Sequence, residues 1–178
     1  GCNDGTLLCT YPDDGLVKIG VDPSDAIDSI NAIDVIKINN FFSKSTVDEI
    51  LLGKKVKLIT SISMFYDLHE PRKFVKDIVK ILDPQGLWII EMNYIGNMIR
   101  YNGYDMISQE HLAYYTMTVF EKLVSPFGLY INDVSLNEIN GGSIRIFVGF
   151  SQDKTENVSK LRKKESDEAL DKKNTYLD

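Results

Sequence analysis

The chain has 178 residues, 43% hydrophobic and 26% charged, the proportions of an ordinary globular protein with enough length for a substantial core. Its formal net charge of −6 argues against a general nucleic-acid binder, which needs clustered Lys and Arg to meet phosphates. The one basic cluster, KLRKKE at 160–165, lies among acidic residues and reads as a solvated helix face. No apolar run approaches the roughly 18 residues of a membrane span. The two cysteines, Cys2 and Cys9, form neither a CxxC pair nor a metal-ligand cluster, so no metal site is expected. Low cysteine usage fits a reducing, cytoplasmic setting.

The chain opens on GCNDGTLL, a turn composition that normally follows a buried strand. Short apolar runs at 15–22, 34–39, 55–62 and 86–93 then read as strands, rich in Val, Ile and Leu. Helices are expected between them. PSDAIDSINA is the first; SKSTVDEILLG follows, capped by Ser43 or Ser45 and stopped by Gly53. PRKFVKDIVKILD is the third, with Pro71 in its first turn and Phe74, Val75, Ile78, Ile81 and Leu82 on one face. Strand–helix–strand alternation implies a mostly parallel sheet covered by helices.

The pattern changes after residue 115. TMTVFEKLVSPFG reads as a helix ended by Pro126 and Gly128, and two strands follow, LYINDVSLNEI and SIRIFVGF. Asn140, Gly141 and Gly142 join them, a signal for an antiparallel hairpin. A polar tail from Ser151 carries a helical stretch at 158–170 without a strong apolar face, which reads as a connector. The division expected is a 1–150 domain and a 151–178 linker.

In doubly wound sheets, ligands lie beyond the carboxyl ends of the strands. Asp22 closes a strand about 20 residues after the first glycine, where a carboxylate can accept hydrogen bonds from ribose hydroxyls. Its alternative reading is a helix cap ahead of Pro23 and Ser24. GCNDGT lacks the third glycine of a dinucleotide fingerprint, and no Lys-Ser/Thr follows as in a P-loop. A nucleoside-like ligand without pyrophosphate fits better, S-adenosyl-L-methionine above all.

The stretch NGYDMISQEHLAYYT gathers Asp105, Glu110, His111, Tyr114 and Tyr115 after the last parallel strand. Imidazole titrates near neutrality, and beside a carboxylate and two phenols it is suited to abstracting a proton and steadying an oxyanion. The other histidine, His69, precedes Pro71 and reads as an exposed residue before a helix.

GCNDGTLL, IGVDPS, ITSISMFYDLHEP, EMNYIGNMIRYNGYDMISQEHLAYYT and NEINGGSIRIFVG occur in order. Together they resemble the sugar C-methyltransferases, class I S-adenosylmethionine-dependent enzymes that methylate nucleotide-linked keto-deoxysugars. The resemblance implies a Rossmann-like α/β sheet, mostly parallel with a C-terminal antiparallel hairpin. It also implies an upstream zinc-binding domain, a downstream Rossmann-like domain, and a first strand missing from this chain. By resemblance, Gly1, Asn3, Asp4 and Gly5 cradle the amino-acid part of the cofactor and Asp22 holds its ribose. Asn40 and Phe41 flank adenine, Phe41 reading equally as sheet-packing core, and Ser61 and Ser63 lie near the methyl group.

His111 is then the base and Glu110 orients substrate or base, with Tyr114 and Tyr115 nearby. Gln109, Asn140, Gly142, Ser143 and Arg145 are the implied substrate contacts, Arg145 reading equally as a surface residue. The implied reaction removes a proton beside a sugar ketone, and the resulting carbanion attacks the sulfonium methyl. The family's common HEH triplet is QEH here, and Asp67 stands where many members have His. Those departures bear on the sugar rather than on the reaction. Two other readings remain open from sequence: an O- or N-methyltransferase on the same fold, and a non-catalytic cofactor-binding fragment. Neither nucleic acid nor membrane is an expected partner.

Overall fold

The computed structural model describes residues 1–12 and 15–177. It divides into two compact units, Gly1–Lys55 and Val56–Asp178.

In the first unit, β1 (Lys18–Asp22) and β2 (Val35–Asn39) pair in parallel, Lys18 opposite Val35 and Asp22 opposite Asn39. The expected helix between them is only a 3-10 turn, Asp25–Ser29. Asp, Ser and Asn dominate that segment and compete with helical hydrogen bonds through their own side chains. Its two buried residues, Ile27 and Ile30, are three apart, the repeat of a 3-10 turn. They form a small core with Val35, flanked by Cys2, Leu8 and Ala32. Helix α1 (Lys44–Leu51) begins at Ser43, whose Oγ accepts from the Thr46 amide at 3.1 Å, so Ser43 rather than Ser45 is the cap.

The second unit holds a four-stranded sheet ordered β3-β4-β6-β5: β3 (Val56–Ile62), β4 (Leu82–Asn93), β5 (Tyr130–Asn137) and β6 (Ser143–Gly149). β3 and β4 are parallel, while β6 is antiparallel to both β4 and β5. The hairpin expected from Asn140-Gly141-Gly142 is present, with Asn137 opposite Ser143. All three turn residues have positive φ (52°, 75° and 119°). A Cβ on Gly142 would lie 2.7 Å from the Asn97 amide nitrogen, so glycine is required there for close packing as well as conformation.

Helix α2 (Pro71–Ile81) buries Val75, Ile78 and Ile81, and Leu82, expected to extend the helix, starts β4 instead. A short helix that the sequence reading missed, α3 (Ile95–Arg100), follows β4, and α4 (Met117–Val124) is capped by the Thr116 hydroxyl. Phe65 sits at the centre of an aromatic core, its ring 5.2 Å from Phe120, 5.6 Å from Tyr115 and 5.8 Å from Trp88.

The polar tail is more than a connector. Helix α5 (Glu156–Asp167) packs on β5 and α4, burying Val158, Leu161 and Glu165. Glu165 is only 3% exposed. Its carboxylate accepts from the Met117 amide (2.7 Å), the Thr118 amide (2.9 Å) and the Tyr94 hydroxyl (3.1 Å). A carboxylate at the start of α4 also meets the positive end of that helix. Replacing Glu165 with Ala strands a buried amide and a buried phenol, at about 1–3 kcal/mol for each unsatisfied group. Urea unfolding of Glu165→Ala should therefore show a clearly lower midpoint than the parent, with Glu165→Gln in between because its carbonyl still accepts.

Candidate functional site

In the first unit, the opening turn lies against the carboxyl end of β1. The Cys2 amide donates to the Val21 carbonyl (3.1 Å), and the Asn3 amide to Asp22 Oδ2 (2.8 Å). Gly5 has a φ of +77°, and a Cβ there would sit 2.7 Å from the Ile30 side chain, so any other residue would be strained and would push Ile30 aside. Asp4 is exposed, with Oδ1 taking the Thr6 amide (3.0 Å) and hydroxyl (2.7 Å). Those bonds hold its carboxyl below the usual range.

Asp22 is 7% exposed. Besides Asn3, its carboxylate takes the Ser24 amide (2.9 Å) and the Ser24 hydroxyl (2.6 Å). The side chain thus organises the following turn, as its alternative reading expected, and it carries charge at the strand end. Burial alone would raise its pKa, but the bonds from Ser24 and Asn3 outweigh burial and lower it. Beside it, the Asn40 amide donates to the Asp22 carbonyl (3.0 Å), placing the segment after β2 at the same edge. Phe41 is 75% exposed and is not sheet-packing core. A charged carboxylate, a glycine turn and the segment leading to the exposed Phe41 thus meet at one strand edge.

In the second unit, residues 95–114 leave the sheet after Tyr94 and return at Tyr115. The two tyrosines form a parallel bridge, and the Ile95 amide donates to the Tyr115 carbonyl (3.4 Å). His111 lies inside this excursion, half-buried, with its ring 4.3 Å from Tyr66 and 5.9 Å from Tyr114. Its Nδ1 is 3.0 Å from the Met106 carbonyl oxygen. A carbonyl can only accept, so Nδ1 carries a proton, and in the neutral ring the lone pair is then on Nε2. That is the tautomer of a base.

Tyr114 ties the loop rather than facing outward: its Oη accepts from the Ser108 amide (3.3 Å) and donates to the Met106 carbonyl (3.4 Å). Tyr115 is buried in the aromatic core, and burial pushes its phenol up. Glu110 and Gln109 are exposed on the loop. Residues that the sequence did not single out as part of this site are Tyr66, whose carbonyl takes the Leu112 (3.0 Å) and Ala113 (3.2 Å) amides, and Met106. Asp67 also belongs here. Burial pushes its carboxyl up, His111 partly offsets this, and Glu110 adds to the rise. Its Oδ1 is buried without a partner. The departure from His at this position was legible; its closeness to His111 was not.

Three expected contacts are otherwise engaged. The Ser61 hydroxyl is buried and accepts from Trp88 Nε1 (3.0 Å), which makes it part of the sheet core rather than a ligand contact. Ser143 Oγ donates to the Ile139 carbonyl (2.9 Å) and closes the hairpin. Arg145 is no free surface residue: it ion-pairs at 2.7 Å with the buried Glu91, which also accepts from Asn137 (3.1 Å). Ser63 is exposed in a left-handed conformation (φ 51°), its amide donating to the Glu91 carbonyl (2.9 Å). Asn140 and Gly142 hold the hairpin turn through backbone conformation. Among the described residues, no helix is long and apolar enough to cross a membrane.

Solved structures with the same architecture fix the fold. LepI in complex with SAM matches with a TM-score of 0.66, at 15% identity over 85% of this chain and 42% of that one. The plantazolicin methyltransferase BpumL, in complex with a pentazolic desmethylPZN analog and SAH, gives 0.62 at 15% identity, covering 85% and 75%. The PH0226 protein of Pyrococcus horikoshii gives 0.58 at 15%, covering 83% and 78%. The fold is the Rossmann-like α/β fold of class I methyltransferases. Residues 1–134 match the family model described as a methyltransferase domain, and the chain belongs to that family. The C-methyltransferase NovU of Streptomyces niveus is 26% identical over 149 residues, 83% of this chain and 36% of NovU. The chain spans about a third of the length of that curated relative.

S-adenosylmethionine is the cofactor that accompanies this family and fold, and the edge formed by 1–5, Asp22 and Phe41 fits it. The turn has no room for a side chain at Gly5, and the carboxylate is held ionised. The lowered pKa of Asp22 sets a sign for acid sensitivity. Its stabilising contribution is complete above the ordinary carboxylate value of about 3.9 and is lost as pH falls through the lower folded value. Hydrogen exchange at the Asn3 and Ser24 amides should reveal this. The protection gap between the parent and Asp22→Asn should be constant above about pH 5 and shrink below about pH 4.

Proposed function

We propose that the protein is an S-adenosylmethionine-dependent C-methyltransferase acting on a nucleotide-linked keto-deoxysugar, with His111 as the base. The observation that supports this reading is the bond between His111 Nδ1 and the Met106 carbonyl, which in the neutral ring leaves Nε2 as the basic nitrogen. A methyltransferase acting on oxygen or nitrogen has less need of a base, whereas carbon must lose a proton before it can attack. The likeness to NovU, a C-methyltransferase, supports the same assignment.

The bound cofactor supplies an electrophilic methyl group. Asp22 would accept from its ribose hydroxyls, the 1–5 turn would let backbone approach its amino-acid end, and Phe41 would flank its base. Nε2 of His111 takes the proton from the carbon beside the ketone, and the Met106 carbonyl steadies the imidazolium through Nδ1–H. Asp67 stands near enough to respond to that charge. The segment 151–178 belongs with the methyltransferase domain in this reading, since α5 supports α4.

Two measurements test it. His111→Asn keeps a donor for the Met106 carbonyl but removes the base, and should cut turnover of a keto-sugar nucleotide by about 10²–10⁴. The parent should also exchange the substrate's α-carbon proton with deuterated solvent, and the variant should not. Turnover within threefold of the parent, or a product methylated on oxygen or nitrogen, would sink the assignment. Independently, calorimetric titration with S-adenosylhomocysteine should show binding by the parent and none by Asp22→Ala.

A further inference from the structure

Buried polar atoms in the second unit are generally satisfied. Glu91 is met by Arg145 and Asn137, Ser61 by Trp88, and Glu165 by three donors. Asn93 is different. It is 3% exposed, and neither its Oδ1 nor its Nδ2 has a hydrogen-bond partner. An amide buried with both groups unspent costs stability, so its persistence calls for an occupant or a purpose.

Its position supplies one. Asn93 is the last residue of β4, at the carboxyl end where ligands of such sheets lie. It directly precedes Tyr94, the base of the excursion that holds His111, and sits opposite Ser143 beside the glycine turn. That turn leads back to the base. A Cβ on Gly141 would touch the Met106 side chain at 3.5 Å, and Met106 gives His111 its carbonyl. Among the described residues, the other with an unpartnered buried side-chain atom is Asp67, next to Tyr66, whose carbonyl takes the Leu112 and Ala113 amides of the loop. Among the described residues, the orphaned atoms thus fall on two residues tied to the same loop.

We propose that Asn93 is a specificity-determining residue, its carboxamide pairing with a hydroxyl and an adjacent carbonyl of the acceptor sugar. Oδ1 accepts from the hydroxyl while Nδ2 donates to the carbonyl. An α-hydroxyketone presents that donor–acceptor pair, and a substrate with only one of the two leaves half of the amide unmet. The inference rests on the proposed reaction.

The test compares the parent with Asn93→Leu, which keeps the volume and removes both polar atoms. Substrates are a dTDP-linked 4-keto-6-deoxyhexose and its analogue lacking the hydroxyl next to the ketone. The variant should raise KM for the hydroxylated substrate about tenfold, the scale of two neutral hydrogen bonds, with kcat within about threefold. Its loss on the deoxy analogue should be clearly smaller, since only the bond to the carbonyl is at stake there. Without substrate, its melting temperature should equal or exceed the parent's, because a costly buried amide has gone. Equal losses on both substrates, or no loss on either, overturn the inference, as does a lower melting temperature with unchanged KM, the mark of an amide held by an internal water. Should Asn93→Leu fail to fold, Asn93→Asp keeps the acceptor and drops the donor, and the same comparison decides. If the parent itself does not methylate carbon on the keto-sugar, the proposed function falls and this inference with it. If the parent does and the variants do not discriminate, only the inference falls.

Discussion

One buried carboxylate governs the geometry of the histidine loop. Glu165 arrives from α5, far along the chain, yet it accepts the first amides of α4 and the hydroxyl of Tyr94. Tyr94 and the residues before α4 are the two ends of the excursion that contains His111. A loop of that length has many conformations, and closing its ends together removes much of that freedom. Two further bonds, from the Leu112 and Ala113 amides to the Tyr66 carbonyl, fix its returning limb. The imidazole is therefore held by backbone groups on both sides, with little left to side-chain chance. A base that must meet a particular C–H benefits from that arrangement, since small misplacements cost rate heavily.

The same sheet separates scaffolding polar groups from reactive ones. Glu91, Arg145 and Asn137 satisfy one another across β4, β6 and β5, which spends the charge of the most obvious anion-binding residue on the fold. Breaking such a pair strands a buried carboxylate, so Arg145 is poorly placed to leave it for a ligand. Ser61 and Ser143 are spent in the same way. Among the described residues, the buried side-chain atoms left without a partner lie near the ends of β3 and β4, on Asp67 and Asn93. Recognition of a small polar substrate needs only a few such groups if they are dry and fixed.

The strands, α1, α2, α4 and the hairpin could be read from the sequence because each depends on local signals: β-branched runs, a serine cap, a proline at a first turn, glycines at positive φ. The misses share a cause. The 23–32 stretch has apolar residues spaced for either an α-helix or a 3-10 turn, and the choice was made by Asp22 binding Ser24 rather than by periodicity. Helix α5 looked faceless because part of its inward face is a glutamate, and a glutamate counts as polar until its partners are known. Arg145 looked available because its partner lies 54 residues away. Composition shows which groups a chain possesses; only the fold shows which are already in use.

Asp22 shows why that distinction matters for the cofactor. An ionised carboxylate offers about four lone-pair sites, and here three bonds from Asn3 and Ser24 use most of that capacity. These bonds come from the very turns that flank the strand end, so they hold the carboxylate in place and ionised before any ligand arrives. A ribose diol in the proposed site then meets an acceptor whose orientation is already set. Little has to be ordered on binding, which is where much of the cost of association lies. The serine bond that looked like a rival explanation for Asp22 is, on this argument, compatible with the proposed role: it fixes the carboxylate that a ligand would meet.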